Sequence, residues 1–172
     1  MGLAVVQRIR RRIFVSYHHG GDQPYYDAFS GHYHDNIHII TDNSLDRAID
    51  SSNVEYVMRR IREEHLHGSS CTVVLCGAST PNRKYVDWEI LASLNQGMGL
   101  VGIGLPSIQH FPNGGTAKPL RLQDNIDSQY AEWTMWNDLV NDPAILSQKI
   151  ELAVSKSTRL INNTRARMTR NG

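Results

Sequence analysis

The sequence is poor in cysteine and in long apolar runs. Its two cysteines, Cys71 and Cys76, share one β-type run, where their odd spacing sends them to opposite faces. That spacing argues against a disulfide and fits no Cys-x-x-Cys metal motif, so both are expected to be small buried apolar residues. No run approaches the length of a membrane span, and residues 1–6 are too short and weakly apolar for a signal peptide. The expected location is the cytoplasm.

An excess of charge of one sign is also missing. The chain has 18 Lys and Arg against 17 Asp and Glu, a formal net charge of +1, which creates no global field that would attract nucleic acid. Arginines do gather at the two ends: Arg8, Arg10, Arg11 and Arg12, then Arg159, Arg165, Arg167 and Arg170. We interpret them as solvated termini, with a basic C-terminal tail over residues 162–172, and a phosphate-binding or partner-binding role is the alternative. Neither a membrane nor nucleic acid is expected as a partner.

Several signatures of nucleotide and hydrolase sites are absent. There is no Gly-x-x-x-x-Gly-Lys-Ser/Thr loop, no Gly-x-Gly-x-x-Gly after the first predicted strand and no Gly-x-Ser-x-Gly elbow. Where a receiver domain would carry acids after that strand, this chain has Ser16, Tyr17 and His18. These absences disfavour the P-loop, Rossmann dinucleotide, α/β-hydrolase and receiver classes.

Short β-type runs alternate with helical patterns along the chain. The predicted strands cover residues 12–17, 37–40, 72–76 and 99–105. The predicted helices begin with Asp22 as a possible cap, with Ser52 in a capping box with Glu55, after Arg83, and at Asp142-Pro143. This alternation predicts a parallel sheet with right-handed crossovers, and therefore a three-layer α/β domain of about five strands. The 172 residues suit a single domain with its core over about residues 11–161.

Four finer expectations concern the second half of the chain. Gly102 and Gly104 suggest close approach of another group to the fourth strand. Residues 119–122 could form an edge strand, and the closing helix is predicted to run through Ile161. The aromatic group Tyr130, Trp133 and Trp136 is expected to cap the core.

The most informative segment is residues 71–90, which reads as strand, loop and helix. In an open parallel sheet the ligand crevice lies outside the carboxyl ends of the strands, so the loop 77–83 and the helix after it are where chemistry is expected. Glu89 lies in the first turns of that helix and is the candidate catalytic acid. Its alternative role is a favourable interaction with the helix dipole.

Other candidate site residues converge on the same crevice. Ser16, Tyr17 and Asp22 come from the first strand and the segment after it, residues 42–44 follow the second strand, and Ser79 and Arg83 lie in the third loop. Tyr17 and Trp88 offer flat faces for a base or nicotinamide ring, and Arg83 or Lys84 could pair with phosphate oxygens. For each residue singly, packing or solvation is an equally good explanation.

Histidines are the remaining cluster: His18, His19, His32, His34 and His38. The His-x-His spacing could place two imidazoles on one side of an extended segment as metal ligands. No carboxylate pair or cysteine completes such a site, so we interpret these as exposed loop histidines and expect no metal.

Three segments together resemble a known family. They are Arg-Ile-Phe-Val-Ser-Tyr-His followed by Asp22, then Val-Val-Leu-Cys-Gly-Ala-Ser-Thr, then Tyr-Val-Asp-Trp-Glu-Ile. Over Arg11 to about Leu105 this order and spacing is similar to the TIR-like family typified by the B subunit of bacterial Thoeris anti-phage systems. The resemblance implies a flavodoxin-like fold.

The resemblance also implies a function. Active members break the bond between nicotinamide and ribose in NAD with a glutamate on the helix after strand three, and Glu89 matches that position. It implies NAD as a substrate with no separate cofactor, and a cyclic ADP-ribose isomer as product. That product would be a diffusible signal to a companion effector, made when a phage component acts as the trigger. A homo-oligomer is one form in which the protein could act. The alternative is a non-catalytic adaptor or nucleotide-binding module that acts through protein–protein contacts.

Overall fold

Five short strands form the centre of the molecule. The computed structural model describes residues 11–34, 38–40 and 53–172. The strands are β1 (Arg12–Ser16), β2 (His38–Ile40), β3 (Cys71–Cys76), β4 (Gly99–Gly104) and β5 (Glu132–Met135). They form one sheet in the order β2-β1-β3-β4-β5, and every neighbouring pair is parallel. The predicted residue 37 and the turn at residues 41–44 lie outside the described residues.

Six helices cover this sheet within the described part of the chain. They are α1 (His19–Tyr33), α2 (Val54–Arg60), α3 (Lys84–Asn95), α4 (Leu120–Asp127), α5 (Trp136–Asn141) and α6 (Ala144–Val154). A π-helical turn, Ile61–His65, extends α2, and two 3₁₀ turns lie at Thr80–Asn82 and Thr158–Leu160. Strand order 2-1-3-4-5 with helices on both faces is the flavodoxin-like arrangement, so the predicted fold class is confirmed. None of the described helices is both long and apolar enough to cross a bilayer.

Two apolar layers lie on opposite faces of the sheet. On one face, residues of β1, β3 and β4 pack against α1 and α6, with Phe29 and Ile150 among the buried contacts. On the other face, α2, α3 and α4 contribute the partners. Cys71 belongs to the first layer and Cys76 to the second, which confirms that they point in opposite directions. Both thiols are free, and burial raises the pKa of Cys71 to about 12.

The edge-strand prediction was wrong. Residues 119–122 lead into helix α4, in which Leu122 and Ile126 pack on the core at i, i+4 spacing. The edge of the sheet next to β4 is formed by β5, where Trp133 lies against glycines of β4. A Cβ added to Gly102 would come within 2.7 Å of Trp133 Cε3, so the close approach expected at Gly102 and Gly104 is confirmed.

The predicted aromatic cap divides between the two apolar layers. Tyr130 is buried on the α3 side of the sheet and donates a hydrogen bond to the carbonyl of Met98. Trp133 packs against the same layer. Trp136 packs against the other layer, edge-on to Tyr25. The three aromatic residues therefore cover the β5 end of the core on both faces.

Several helix ends differ from expectation. Asp22 lies inside α1 instead of capping it, because the helix already begins at His19. Asn53 caps α2, accepting a hydrogen bond from the Tyr56 amide at 3.1 Å, whereas the predicted cap Ser52 lies outside the described residues. The closing helix α6 ends at Val154 and not at Ile161, and a separate 3₁₀ turn, Thr158–Leu160, follows it with Ser157 as its cap. Residues 162–172, expected as a solvated tail, are hydrogen-bonded to α3 and α4.

Candidate active site

Glu89 and Ser16 meet at the carboxyl end of β1. Ser16 is the last residue of that strand and 1% exposed, and Glu89, in the second turn of α3, is 6% exposed. The Ser16 hydroxyl donates a hydrogen bond to Glu89 Oε2. Sequence reasoning placed both residues at one crevice, and the structure brings them into direct contact.

The Glu89 backbone is held as well as its carboxylate. Ser93, one turn further along α3, donates its hydroxyl to the Glu89 carbonyl at 2.7 Å. The same Ser93 hydroxyl lies 2.6 Å from the Thr72 hydroxyl of β3. The helix turn that carries Glu89 is thus bonded to two neighbouring strands, β1 and β3, which limits how far it can shift.

A second buried carboxyl group, that of Asp22, lies over the loop after β3. Thr80 Oγ1 is 3.2 Å from Asp22 Oδ2 and accepts a hydrogen bond from the Gly77 amide at 2.8 Å. A Cβ added to Gly77 would lie 2.7 Å from Asp22 Cγ, so only glycine leaves room for this carboxyl group. Burial raises the pKa of Asp22, and the Thr80 hydroxyl and the nearby His18 oppose that rise only in part.

His18 is a neighbour of this site that sequence reasoning missed. It was grouped with exposed loop histidines, yet it is half-buried two residues beyond the end of β1, and its ring fills the space that a Cβ would occupy at Gly20 and Gly21. Its Nδ1 atom is buried and has no hydrogen-bond partner within the described part of the chain. The signal that could have placed His18 beside the site is its position immediately after the first predicted strand. Ligand crevices lie at the carboxyl ends of parallel strands, so this position is a better guide than the usual exposure of histidine.

Tyr17 lies at the crevice edge, but its ring is used in packing. It is 7% exposed and stacks on Tyr26 of α1 with centroids 4.5 Å apart, while His19 contacts it at 3.9 Å. Its hydroxyl donates to Gln23 at 3.0 Å. The ring therefore packs the start of α1 onto the sheet and does not offer the open stacking face that was expected.

Trp88 lies away from Glu89. Its ring is buried among residues of β1 and α2, including Phe14 and Met58, and its indole N–H donates to the Met168 carbonyl at 2.8 Å. The proposed stacking role for Trp88 was wrong because adjacent helix residues diverge by about 100° around the axis. Glu89 faces Ser16, and the neighbouring side chain is directed into the apolar layer.

The loop after β3 carries the remaining candidates. Ser79 is exposed, and Arg83, half-buried, forms the N-terminal boundary of α3. Both belong to the segment between the carboxyl end of β3 and α3, as predicted. Thr80, the residue after Ser79, makes the hydrogen bond to Asp22. The Ser79 side chain is left at the surface of the crevice.

The histidine cluster is not brought together. His18 and His19 lie at the N-terminal end of α1, and His32 and His34 at its C-terminal end, so about 20 Å of helix separates them. In the described ranges no group of three or more His, Cys, Asp or Glu could hold a metal ion.

An apolar cavity of about 240 Å³ between α1 and α5, lined by Phe29, Tyr33 and Trp136 among others, is remote from Glu89.

Comparison with known proteins identifies the fold family. The family model described as the Thoeris protein ThsB, TIR-like domain, matches residues 14–110, more than half of the chain. The chain belongs to this family. The matched stretch includes Ser16, Asp22, Ser79 and Glu89, whereas α4, β5, α5, α6 and residues 162–172 lie beyond it.

Two further comparisons add little to the ThsB family assignment. Solved structures similar to the chain include the TIR domains of the activated Roq1 resistosome that directly recognizes the pathogen effector XopQ. That match has 14% identity and a TM-score of 0.40, and covers 88% of this chain and 84% of that one. No curated protein sequence matches significantly. The assignment therefore depends on the family match, and the fold on the strand order described above.

Proposed function

We propose that this ThsB-family protein is an NAD-processing enzyme that breaks the bond between nicotinamide and ribose, with Glu89 as its catalytic residue. The observation that carries the proposal is the buried Glu89 carboxylate, bonded to Ser16 at the carboxyl ends of the strands. A nearly buried acid at that edge of an α/β sheet is unusual unless it is paired or functional.

The chemistry suits a single carboxylate. When the ribose C1′–nitrogen bond breaks, the electron pair leaves with nicotinamide, and positive charge develops on the ribose as in glycoside cleavage. An ionised carboxylate close to that ribose stabilises the developing charge or holds the ribose hydroxyls. The hydrogen bond from the Ser16 hydroxyl sets the direction of the Glu89 carboxyl group. Nicotinamide is neutral once released and needs little help from a general acid.

Other crevice residues have supporting roles in the proposal. Ser79 and Arg83 would contact the ribose or the phosphates, since both lie in the loop that borders the crevice. Asp22 shapes that loop through Thr80 and Gly77. Tyr17 contributes by packing α1 and not by stacking on the substrate.

The proposed product is a cyclic ADP-ribose isomer. Ring formation requires that water be excluded and that a nucleophilic atom of the same nucleotide reach the ribose carbon. Such a product would diffuse to a companion effector and activate it, with a phage component as the trigger and self-assembly as a possible condition for activity. NAD enters as substrate, and no separate cofactor is required.

Mass spectrometry of the small molecules made from NAD tests the proposal. The purified protein is incubated with NAD alone and with lysate of phage-infected cells, and lysate without the protein serves as control. Release of nicotinamide together with a cyclic ADP-ribose isomer supports the proposal. Linear ADP-ribose as the only product would support the proposed cleavage of the nicotinamide–ribose bond but would overturn the proposed cyclic product. No consumption of NAD under either condition would overturn the enzyme and favour the adaptor.

A further inference from the structure

Residues 162–172 form a C-terminal strap that runs along α3, the helix of Glu89. At the C-terminal end of α3, Asn163 donates to the Leu91 carbonyl at 3.3 Å and to Asn95 Oδ1 at 2.8 Å. At the other end, the Lys84 amide donates to Asn171 Oδ1 at 2.9 Å. The strap therefore spans the helix antiparallel to it and is bonded at both ends.

The middle of the strap closes over a buried ion pair. Arg121 of α4 is 0% exposed and Asp87 of α3 is 4% exposed. Arg121 Nε donates to Asp87 Oδ1 at 2.8 Å, and Nη2 lies 3.3 Å from Oδ2. The other guanidinium contacts go to the strap: Asn163 Oδ1 at 2.8 Å, the Arg165 carbonyl at 2.9 Å and the Ala166 carbonyl at 3.3 Å. A buried ion pair is tolerated only when its remaining hydrogen-bonding groups are satisfied, and the strap satisfies those of Arg121.

The strap also binds the Asp87 carboxylate and the next side chain of α3. The Met168 amide donates to Asp87 Oδ2 at 2.8 Å, and the Met168 carbonyl accepts from the Trp88 indole at 2.8 Å. One strap residue thus bonds to two consecutive residues of α3. These two residues immediately precede Glu89.

Asp87 and Glu89 are held from opposite sides of the helix. Two residues along an α-helix correspond to a rotation of about 200°, so the two carboxylates face in nearly opposite directions. Ser16 of β1 holds Glu89 on one side. Arg121 and Met168 hold Asp87 on the other. Together the two sets of bonds fix the rotation of α3 about its axis.

We propose that Asp87 is a positioning residue: through it, Arg121 and the C-terminal strap fix the rotation of α3 and keep the Glu89 carboxylate at the crevice. The catalytic consequence depends on the proposed NAD chemistry, whereas the restraint on α3 does not. Asp87 touches no reacting atom and acts only through the helix.

The test compares two aspartate-to-asparagine variants of the full chain. Asp87→Asn keeps the side-chain shape but removes the charge that Arg121 and Met168 bind. Asp124→Asn is the matched control, because Asp124 also pairs with a strap arginine, Arg165, at 2.7 and 2.9 Å, but lies on α4 and is more exposed. Hydrogen exchange of backbone amides and the kinetics of nicotinamide release are measured for both.

We expect amide exchange within residues 84–95 to be roughly ten-fold faster in Asp87→Asn and unchanged in the control, since only the first variant weakens charged bonds made by a residue of α3 itself. The kcat for nicotinamide release should fall by about ten-fold while KM changes little. Unchanged exchange in α3, or an equal increase throughout the sheet, would overturn the proposal. If Asp87→Asn does not fold, Trp88→Phe, which keeps an aromatic ring and removes one strap bond, should give a smaller effect of the same kind.

The two proposals fail in different ways. If the wild-type protein never consumes NAD, the enzymatic function is overturned, and the exchange measurement still decides whether the strap restrains α3. If NAD is consumed, and Asp87→Asn has the wild-type kcat and the wild-type rate of amide exchange in α3, the enzymatic function is supported. The positioning role of Asp87 is then overturned.

Discussion

The Ser16 hydroxyl donates a hydrogen bond to the Glu89 carboxylate, which joins the carboxyl end of β1 to the second turn of α3. Both side chains are nearly buried, so the carboxylate has few water molecules to solvate it. A donor fixed on a central strand replaces part of that solvation and sets the direction of the carboxylate. The bond is therefore expected to matter for the chemistry of Glu89 more than for the fold.

Replacing Ser16 with alanine should lower the rate of nicotinamide release about ten-fold, because Glu89 loses the hydrogen bond that fixes the direction of its carboxyl group. Steady-state kinetics with NAD measure the effect. The matched control is Thr72→Val, which removes another buried hydroxyl facing α3, 2.6 Å from Ser93. It should reduce the free energy of unfolding by about 1 kcal/mol and lower turnover less than Ser16→Ala does, because it loosens the α3 turn without removing a bond to the Glu89 carboxyl group. Equal turnover in Ser16→Ala and Thr72→Val would contradict the role given to Ser16.

Gly77→Ala should destabilise the protein by about 1–3 kcal/mol, since the new methyl group would press on the Asp22 carboxyl group. The same substitution should cost less when Asp22 is already alanine, and a double-mutant cycle by urea unfolding measures the difference. Gly31→Ala is the control. Apart from its chain neighbours and its own helix backbone, no atom of the described residues lies within 4 Å of a Cβ at that helical position, so stability should rise slightly. Purely additive effects of Gly77→Ala and Asp22→Ala would refute the steric explanation.

Asp22→Asn should change the pH dependence of stability. Burial raises the pKa of Asp22 in the folded protein. The folded state therefore holds the proton more tightly than the unfolded chain, and this contribution to stability is complete below the unfolded-state pKa. It is lost as pH rises through the folded-state pKa. The free energy of unfolding of the asparagine variant, minus that of the wild type, should consequently increase between acid and neutral pH. Urea unfolding at several pH values checks the sign, and a decreasing difference would count against it.

Neither cysteine should react in the folded protein. Cys71 and Cys76 are completely buried on opposite faces of the sheet, and burial raises the pKa of each thiol. Because the thiolate is the reactive form, a thiol reagent should label neither residue under native conditions and both in denaturant. Rapid labelling of one thiol in the native state would show that the adjoining layer opens.

The sheet and α3 were predictable because their signals are local. The apolar run at residues 72–76, rich in β-branched residues and followed by Gly77, favours a buried strand and a loop, and the apolar residues around Glu89 recur at helical spacing. The direction of the Trp88 side chain was not predictable, because apolar and polar residues alternate closely at the start of α3. From the sequence alone, Trp88 and Glu89 were both compatible with the crevice. In the structure the Trp88 ring packs against α2.

Two features of the second half of the chain were not predicted: the helix that begins near residue 120 and the C-terminal strap. In both cases the sequence has too little side-chain periodicity. Residues 119–122 contain only two apolar positions, too few to separate a strand from the start of a helix, and Leu122 acquires its helical partner Ile126 only further on. The strap was missed because its contacts are made by backbone groups, such as those of Met168, and by polar side chains, such as that of Asn163, and neither kind gives a periodic apolar pattern. Sequence periodicity reports side-chain burial, and it is silent where the backbone provides the bonds.

The most direct measurement is the rate of nicotinamide release from NAD by Glu89→Gln beside Glu132→Gln. Both substitutions remove one carboxylate, but Glu132 pairs with Lys149 and Lys156 and lies at the β5 edge. Glu89→Gln should reduce the rate by roughly 100-fold or more, the usual cost of removing a group that stabilises transition-state charge, while Glu132→Gln stays near the wild type. A folded Glu89→Gln protein that releases nicotinamide at the wild-type rate would contradict the assignment of Glu89 as the catalytic residue.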